Sequence, residues 1–394
     1  MTEAYQCVRT FGYDLMKQTM NHTNPVLSPV SAYLTLALAG CGAEGETKTE
    51  FVTVLGHEMQ ALAAKIMDTF SINGSCLKLS IANSAWIDPR FCLNTDWENA
   101  LKSLIKADVF VTELSTDETM NHINQWIAAR TNGLIDQLLT EPLEPRELIR
   151  LALFNTIYFK GKWENPFQSY HTHKEAFYLR DAQSDNETKQ HKNTIQAEMM
   201  RDRTADIEYL SNDFAEGVLL PYMSNQRPHF DFSRRSKGMG FVALKPKRNS
   251  SVREICNKLD ERVVHELLSG RKPEVADLKL PRFRSEFDID LCEPLPRIGL
   301  TKCFDASKAD LSLIGKDTIT NDTLYISLVR QKAVLTVDEE GTEAAAATEL
   351  LGALRAMATP QKQLYFNEPF LYMLLDIEKE LPLFIGILDK PSII

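Results

Sequence analysis

Cysteine is too sparse and too scattered in this chain to build a disulfide framework. Seven cysteines in 394 residues, an odd count with no C-x-x-C pair, match neither a set of bridges nor a zinc pattern. Reduced thiols are the simplest expectation. Positive charge is in deficit: 44 Lys and Arg stand against 54 Asp and Glu, a net −10, which argues against nucleic acid as the main partner. No apolar run approaches the length of a transmembrane segment. The first twenty residues lack the apolar core of a signal peptide and read instead as an amphipathic helix, with Val8, Phe11 and Leu15 on one side. On that reading the chain is cytoplasmic or reaches the extracellular space by an unconventional route. Five N-x-S/T sequons, at Asn21, Asn73, Asn186, Asn249 and Asn321, would carry glycan only along a secretory route and leave the compartment open.

Linkers and catalytic signatures are missing as well. The length alone would allow two or three domains, but no Gly-, Ser- or Pro-rich stretch divides the chain. There is no G-x-S-x-G, H-E-x-x-H, phosphate-binding loop or Cys–His signature, so an enzyme is disfavoured. Gly40 to Gly45 spells G-x-G-x-x-G, but an apolar helix precedes it where a dinucleotide site needs a strand, so it reads as a helix end and turn. His171, His173 and His191 lie in a polar stretch with no acid or Cys at ligand spacing, which gives no metal site. No cofactor is implied by any motif. Two basic clusters, Arg234/Arg235/Lys237 and Lys245/Lys247/Arg248, are a candidate surface for a sulfated polyanion, with a solvated face as the competing reading.

What the sequence does contain is a mixture of helical and strand periods without βα alternation, hence an α+β fold with largely antiparallel sheets. Ser28 is placed to cap a helix that begins at Pro29. Leu77 to Ile87 alternates as a strand. Leu151 to Phe159 is nearly all apolar, as a strand buried on both faces should be, so Asn155 in its middle needs partners. Met120 to Leu139 reads as a helix with a break at Gly133, Val252 to Leu268 as one helix, and Val275 to Phe287 as one strand with an irregularity at Pro281. Leu295 to Phe304 reads as a short helix and turn, and Pro369 to Leu375 and Leu381 to Leu388 as late core strands. The polar stretches 171–206 and 223–240 read as surface insertions or hairpin loops.

The segment from Asp338 to Thr359 supports two readings. Its Ala, Glu and Leu content favours helix. Its alternation favours a strand with Thr342, Ala344, Ala346, Thr348 and Leu350 on one face and Glu343 and Glu349 on the other. Asp338, Glu339 and Glu340 read as a solvated turn rather than a set of catalytic carboxylates.

Six stretches together carry a family resemblance: NPVLSPVS (24–31), FNTIYFKGKWENPF (154–167), RIGLTKCFD with ADLS (297–312), KAVLTVDEEGTEAAAAT (332–348), FNEPF (366–370) and PLFIGILDKP (382–391). In this order, and over essentially the whole length, the chain resembles a serpin of the inhibitory type, and of the ovalbumin-like branch that lacks a signal peptide. The resemblance implies one domain over residues 1–394, with three β-sheets, eight or nine helices and an exposed reactive-centre loop at 341–360. It implies a monomeric suicide inhibitor that is cleaved by a trypsin-like serine protease and forms a covalent complex with it. By the family's usual loop length the scissile bond joins Arg355 to Ala356. A bond after Met357, with elastase- or chymotrypsin-like targets, is the neighbouring alternative, and a non-inhibitory carrier or chaperone is another. Gly341, Thr342, Glu343, Ala344, Ala345, Ala346, Ala347 and Thr348 match the hinge. Ser28, Ser31, Asn155 and Trp163 match positions that support opening of the main sheet. Gln331 stands where many family members have His. It can hydrogen-bond but not titrate.

Overall fold

The apolar run beginning at Leu151 forms the middle strand of a sheet, and its burial on both faces sets the layering of the molecule. A computed structural model describes residues 5–143, 149–179, 193–224, 237–247, 250–317, 319–320, 324–342 and 362–392. The helices are α1 (Gln6–Thr19), α2 (Pro29–Gly40), α3 (Gly45–Leu55), α4 (Met59–Thr69), α5 (Thr95–Ala100), α6 (Asp117–Arg130), α7 (Val252–Lys258) and α8 (Glu261–Ser269). The strands are β1 (Val26–Leu27), β2 (Ile72–Asn73), β3 (Leu77–Ile87), β4 (Phe91–Leu93), β5 (Asp108–Val111), β6 (Leu151–Lys162), β7 (His173–Tyr178), β8 (Thr194–Ser211) and β9 (Ala215–Pro221). They continue with β10 (Met239–Pro246), β11 (Lys272–Pro281), β12 (Phe283–Asp290), β13 (Gly315–Asp317), β14 (Ile326–Val337), β15 (Gly341–Thr342), β16 (Lys362–Tyr365), β17 (Phe370–Asp376) and β18 (Leu381–Leu388).

Among the described residues the strands form three sheets. A seven-stranded sheet runs β12-β14-β6-β3-β2, with β15 on β6 and β5 on β3. A nine-stranded sheet runs β1-β18-β17-β10-β9-β8-β11-β16, with β7 on β8, and β13 pairs with β4. Helix α2 is apolar on every side and buried along its whole length, touching β3 and β6 of the first sheet and β18 of the second. On the opposite face of the seven-stranded sheet, α6 buries Ile123, Trp126 and Ile127 against Trp86, Ala152 and Phe154. Each such side chain contributes about 1.5–3 kcal/mol.

Several expectations are corrected by capping and crossing. The helix expected over Val252 to Leu268 is two, because the Asp260 carboxylate accepts Val263 N–H at 2.8 Å and starts a new helix. The helix expected to run to Leu139 ends at Arg130. Asn132 and Gly133 take left-handed conformations, and the Asn124 side chain captures the N–H groups of Leu138 and Leu139. The single strand expected from Val275 to Phe287 is β11 and β12, which lie in different sheets with Arg282 at the crossing. Residues 194–206, read as a surface insertion, belong to the 18-residue strand β8. Gly40 and Gly45 do frame a helix end and turn.

Candidate functional site

Strands β6 and β14 run parallel and pair directly from Ile326↔Leu151 to Ala333↔Ile157, where the described pairing stops. Both strands continue beyond that point. At the far end the two residues of β15 take up the vacated edge of β6, antiparallel, with Gly341↔Lys162 and Thr342↔Gly161. The seam between β6 and β14 is therefore closed at one end and wedged apart at the other.

Polar side chains line the closed end. Asn155 and Gln331 are register partners, and both are buried beneath the sheet against the start of α2. The Gln331 amide donates to Asn155 Oδ1 and to the Ser28 carbonyl, each at 3.1 Å, and its Oε1 accepts Ser28 N–H at 2.9 Å. Asn155 donates in turn to Asn83 Oδ1 at 2.6 Å and to the Ser31 carbonyl at 3.1 Å. Thr35 donates to the same Asn83 oxygen at 2.8 Å. Ser28 also caps α2 by accepting Ser31 N–H. Ser31 Oγ and Asn83 Nδ2 are buried with no partner among the described residues, so the network holds the seam without exhausting its hydrogen-bonding capacity.

The wedged end is built around Trp163. Its ring stacks on Tyr222 at 4.5 Å, its indole N–H donates to the Asp338 carbonyl at 2.9 Å, and its backbone N–H donates to the Glu340 carbonyl at 2.9 Å. The Tyr222 hydroxyl shares a hydrogen bond of 2.9 Å with Thr342 Oγ1, and burial pushes the phenol far above its ordinary range, so it stays protonated. Thr342 is 1% exposed. Gly341 has φ of +146°, and a Cβ there would lie 2.0 Å from the Gly161 carbonyl oxygen, so no other residue fits.

The three acids form a tight half-buried turn rather than a solvated one. Asp338 Oδ1 accepts the N–H groups of Glu340 and Gly341 at 2.9 and 3.0 Å. Burial, with the neighbouring Glu339 and Glu340 charges, outweighs those bonds and raises the Asp338 carboxyl above its usual range. Glu339 is 8% exposed. It accepts from Thr172 at 2.6 Å and pairs with Arg282 at 3.6 Å, tying the turn to the point where the chain crosses between sheets.

Structure thus brings Ser28, Ser31, Asn155 and Gln331 to one end of the seam and Trp163, Gly341 and Thr342 to the other. Glu343 to Thr348, Arg355, Ala356 and Met357 lie outside the described residues, as do Asn186, Asn249 and Asn321. Asn21 and Asn73 are exposed. Of the basic clusters, Lys237 pairs with Glu378, Lys245 pairs with Glu216, and Lys247 donates to Ser211, while Arg234, Arg235 and Arg248 lie outside the described residues. His171 and His173 are exposed, His191 is outside, and no cluster of three metal-binding side chains occurs among the described residues. Sequence reasoning missed Asn83, Thr172, Gly161, Tyr222 and Arg282. Each is placed by a distant strand, and no local pattern marks them.

A three-sheet α+β chain with eight helices among its described residues, and with a two-residue strand lodged in a half-open parallel seam, defines a narrow class. The family model "Serpin (serine protease inhibitor)" matches residues 6–391, and the chain belongs to that family. Alpha-1-antiproteinase F of Cavia porcellus is 30% identical over 394 residues, covering 96% of this chain and 88% of that protein. The thermophilic serpin tengpin in its native state is 29% identical with a TM-score of 0.85, over 99% of this chain and 95% of that one. Human thyroxine-binding globulin, crystallised in complex with thyroxine, shares the fold at 22% identity and a TM-score of 0.84, over 99% of each chain.

Proposed function

We propose that this serpin is a suicide inhibitor of trypsin-like serine proteases, cleaved between Arg355 and Ala356. The observation that carries the reading is the wedged seam: β15 already pairs with the β14-side edge of β6, and the described β14 pairing ends at Ile157, so the chain beyond Thr342 is headed along that edge.

The chemistry follows from the residue types. The Arg355 guanidinium suits an anionic specificity pocket. The protease serine Oγ attacks the Arg355 carbonyl carbon, its proton passes to the protease histidine, and the amine of Ala356 leaves with that proton. An ester joins Arg355 to the protease. The freed segment from Gly341 onward then adds to the sheet as a new antiparallel strand, drawing the ester-linked protease with it. About a dozen new ladder bonds at a net of roughly 1 kcal/mol each match the stability of a whole domain, enough to distort the protease and stall hydrolysis of the ester. Thr342, Ala344, Ala346 and Thr348 form an inward face with no bulky or charged side chain, so insertion meets little resistance.

Mixing the protein with trypsin tests this. An SDS-stable adduct is expected whose mass is the sum of the two proteins less the released C-terminal fragment, which begins at Ala356. Thr342→Arg should turn the inhibitor into a substrate, since an arginine at that buried position opposes insertion. Clean cleavage of the wild type with no adduct would favour a non-inhibitory serpin. A fragment beginning at Ala358 would move the bond to Met357.

A further inference from the structure

The nine-stranded sheet opens a cleft beside the acid turn at 338–340. Strand β9 pairs with β8 only as far as Leu219↔Glu208. Beyond that point β9 stays with β10, at Leu220↔Phe241 and Pro221↔Gly240, while β8 stays with β11, at Ala205↔Ala276 and Asp202↔Leu278. The gap between the parted strands is a cleft of about 340 Å³, counted to its open mouth. Trp163, Phe167, Leu220 and Pro221 give it apolar walls, and Asp202 and Asp206 bring two carboxylates to it. Apolar walls with a few placed polar groups are the usual make-up of a small-ligand site.

A bulge turns one of these acids inward. Three steps along β8, from Asp202 to Ala205, oppose two along β11, from Leu278 to Ala276. Directly opposed residues share a face, so Asp202 lies on the face of Leu278, Ala276 and Ala205, all of which are buried. Bulges re-aim side chains in this way. Its neighbour Arg201 is held bidentately by Asp277, at 2.9 and 2.6 Å. Asp202 Oδ1 accepts Thr204 N–H at 2.9 Å, and among the described residues neither Asp202 nor Asp206 pairs with a cation. A half-buried carboxylate without a counter-charge loses solvation that an arriving cation would offset.

The cleft walls also hold the acid turn. Trp163 donates its indole N–H to the Asp338 carbonyl and its backbone N–H to the Glu340 carbonyl, each at 2.9 Å, and Phe167 N–H donates to the Glu339 carbonyl at 2.8 Å. All three carbonyls of the turn are therefore bound by two residues that line the cleft. We propose that the cleft is a binding site for a small organic cation, an amine or guanidine on an aromatic or aliphatic body, and that its occupancy stiffens the turn at 338–340. The cation lies between Asp202 and Asp206, and the apolar body lies against Trp163, Phe167 and Leu220. A ligand that fixes Trp163 and Phe167 favours the state in which they hold the turn, so binding and turn order are linked. The site stands apart from the inhibitor reading, since it needs neither cleavage nor insertion.

Calorimetric titration of the full chain at low ionic strength tests the site, with phenethylammonium, neutral phenethyl alcohol and anionic hydrocinnamate as probes. The ammonium compound should bind at a single site, the alcohol about fivefold more weakly, and the acid not at all. Asp202→Asn and Asp206→Asn should each weaken the ammonium compound about threefold, and together about tenfold, as for partly exposed ion pairs. Both changes remove a charge that has no partner, so these variants should fold. Leu220→Trp fills the cleft from its rim and should abolish binding with both acids in place. At saturation, amide exchange of Trp163 and Phe167 should slow. No binding of the ammonium compound, or equal binding of the alcohol, would overturn the cation site. Binding that survives both the double Asp→Asn change and Leu220→Trp lies elsewhere and would overturn it too. Binding with unchanged exchange at Trp163 and Phe167 would overturn the link to the turn.

Discussion

Gln331 donates its side-chain amide to Asn155 Oδ1 at 3.1 Å across the seam between β14 and β6. This is a neutral bond between the two strands that insertion would have to part. Gln331→Leu would leave Asn155 Oδ1 and the Ser28 backbone groups unpaired in a buried site, at a cost of about 1–3 kcal/mol. The variant should unfold at lower denaturant. A midpoint equal to wild type would show that the pair does not hold the seam.

Because neither Gln nor Asn titrates, this lock should ignore pH. Gln331→His should introduce a dependence near pH 6–7, where imidazole changes charge. Denaturant midpoints of both proteins between pH 5 and 8 would check this. A flat profile in the histidine variant would place the pH response elsewhere.

At the other end of the seam, Glu339 bridges Thr172 and Arg282 from a buried position. Glu339→Lys removes both contacts and buries a cation beside Arg282. A loss of about 1–3 kcal/mol is expected, because Glu339 is buried while the Arg282 side chain is 32% exposed, and it would be read as a lower denaturant midpoint. Adding Arg282→Glu should recover part of the loss.

Asp338 carries a pH prediction of definite sign. Its folded carboxyl is raised by burial and neighbouring acids, so the stability it contributes is fully present below the unfolded aspartate value near 3.9 and is lost as pH rises through the raised folded value. Asp338→Asn keeps the oxygen that accepts the Glu340 and Gly341 N–H groups and removes the charge. It should be the more stable protein at pH 7, with the difference shrinking to nothing toward pH 3.5. Denaturant midpoints across that range would check it, and a variant weaker at every pH would refute it.

Much of this was legible in the sequence where one local cause dominates. The Ser28 cap, the alternation of Leu77–Ile87 and the apolar run from Leu151 each write a local rule directly into adjacent residues, and the structure follows them. Legibility fails where a side chain overrides periodicity, as when Asp260 restarts a helix or Asn124 captures the backbone after Arg130. It fails again where strand identity depends on a distant partner. Val275 to Phe287 reads as one strand but serves two sheets, and the polar face of 194–206 hid a strand whose other face is core. The acids at 338–340 looked solvated because Arg282, Thr172 and Trp163, which enclose them, come from elsewhere in the chain.

The central claim is that the seam between β6 and β14 accepts the chain beyond Thr342 as a new strand. The most direct measurement is the melting temperature of the protein before and after its loop is cut by a protease. A dozen added ladder bonds should raise it on the order of 20 °C. An unchanged melting temperature in a protein shown to be cleaved at Arg355 would contradict the account.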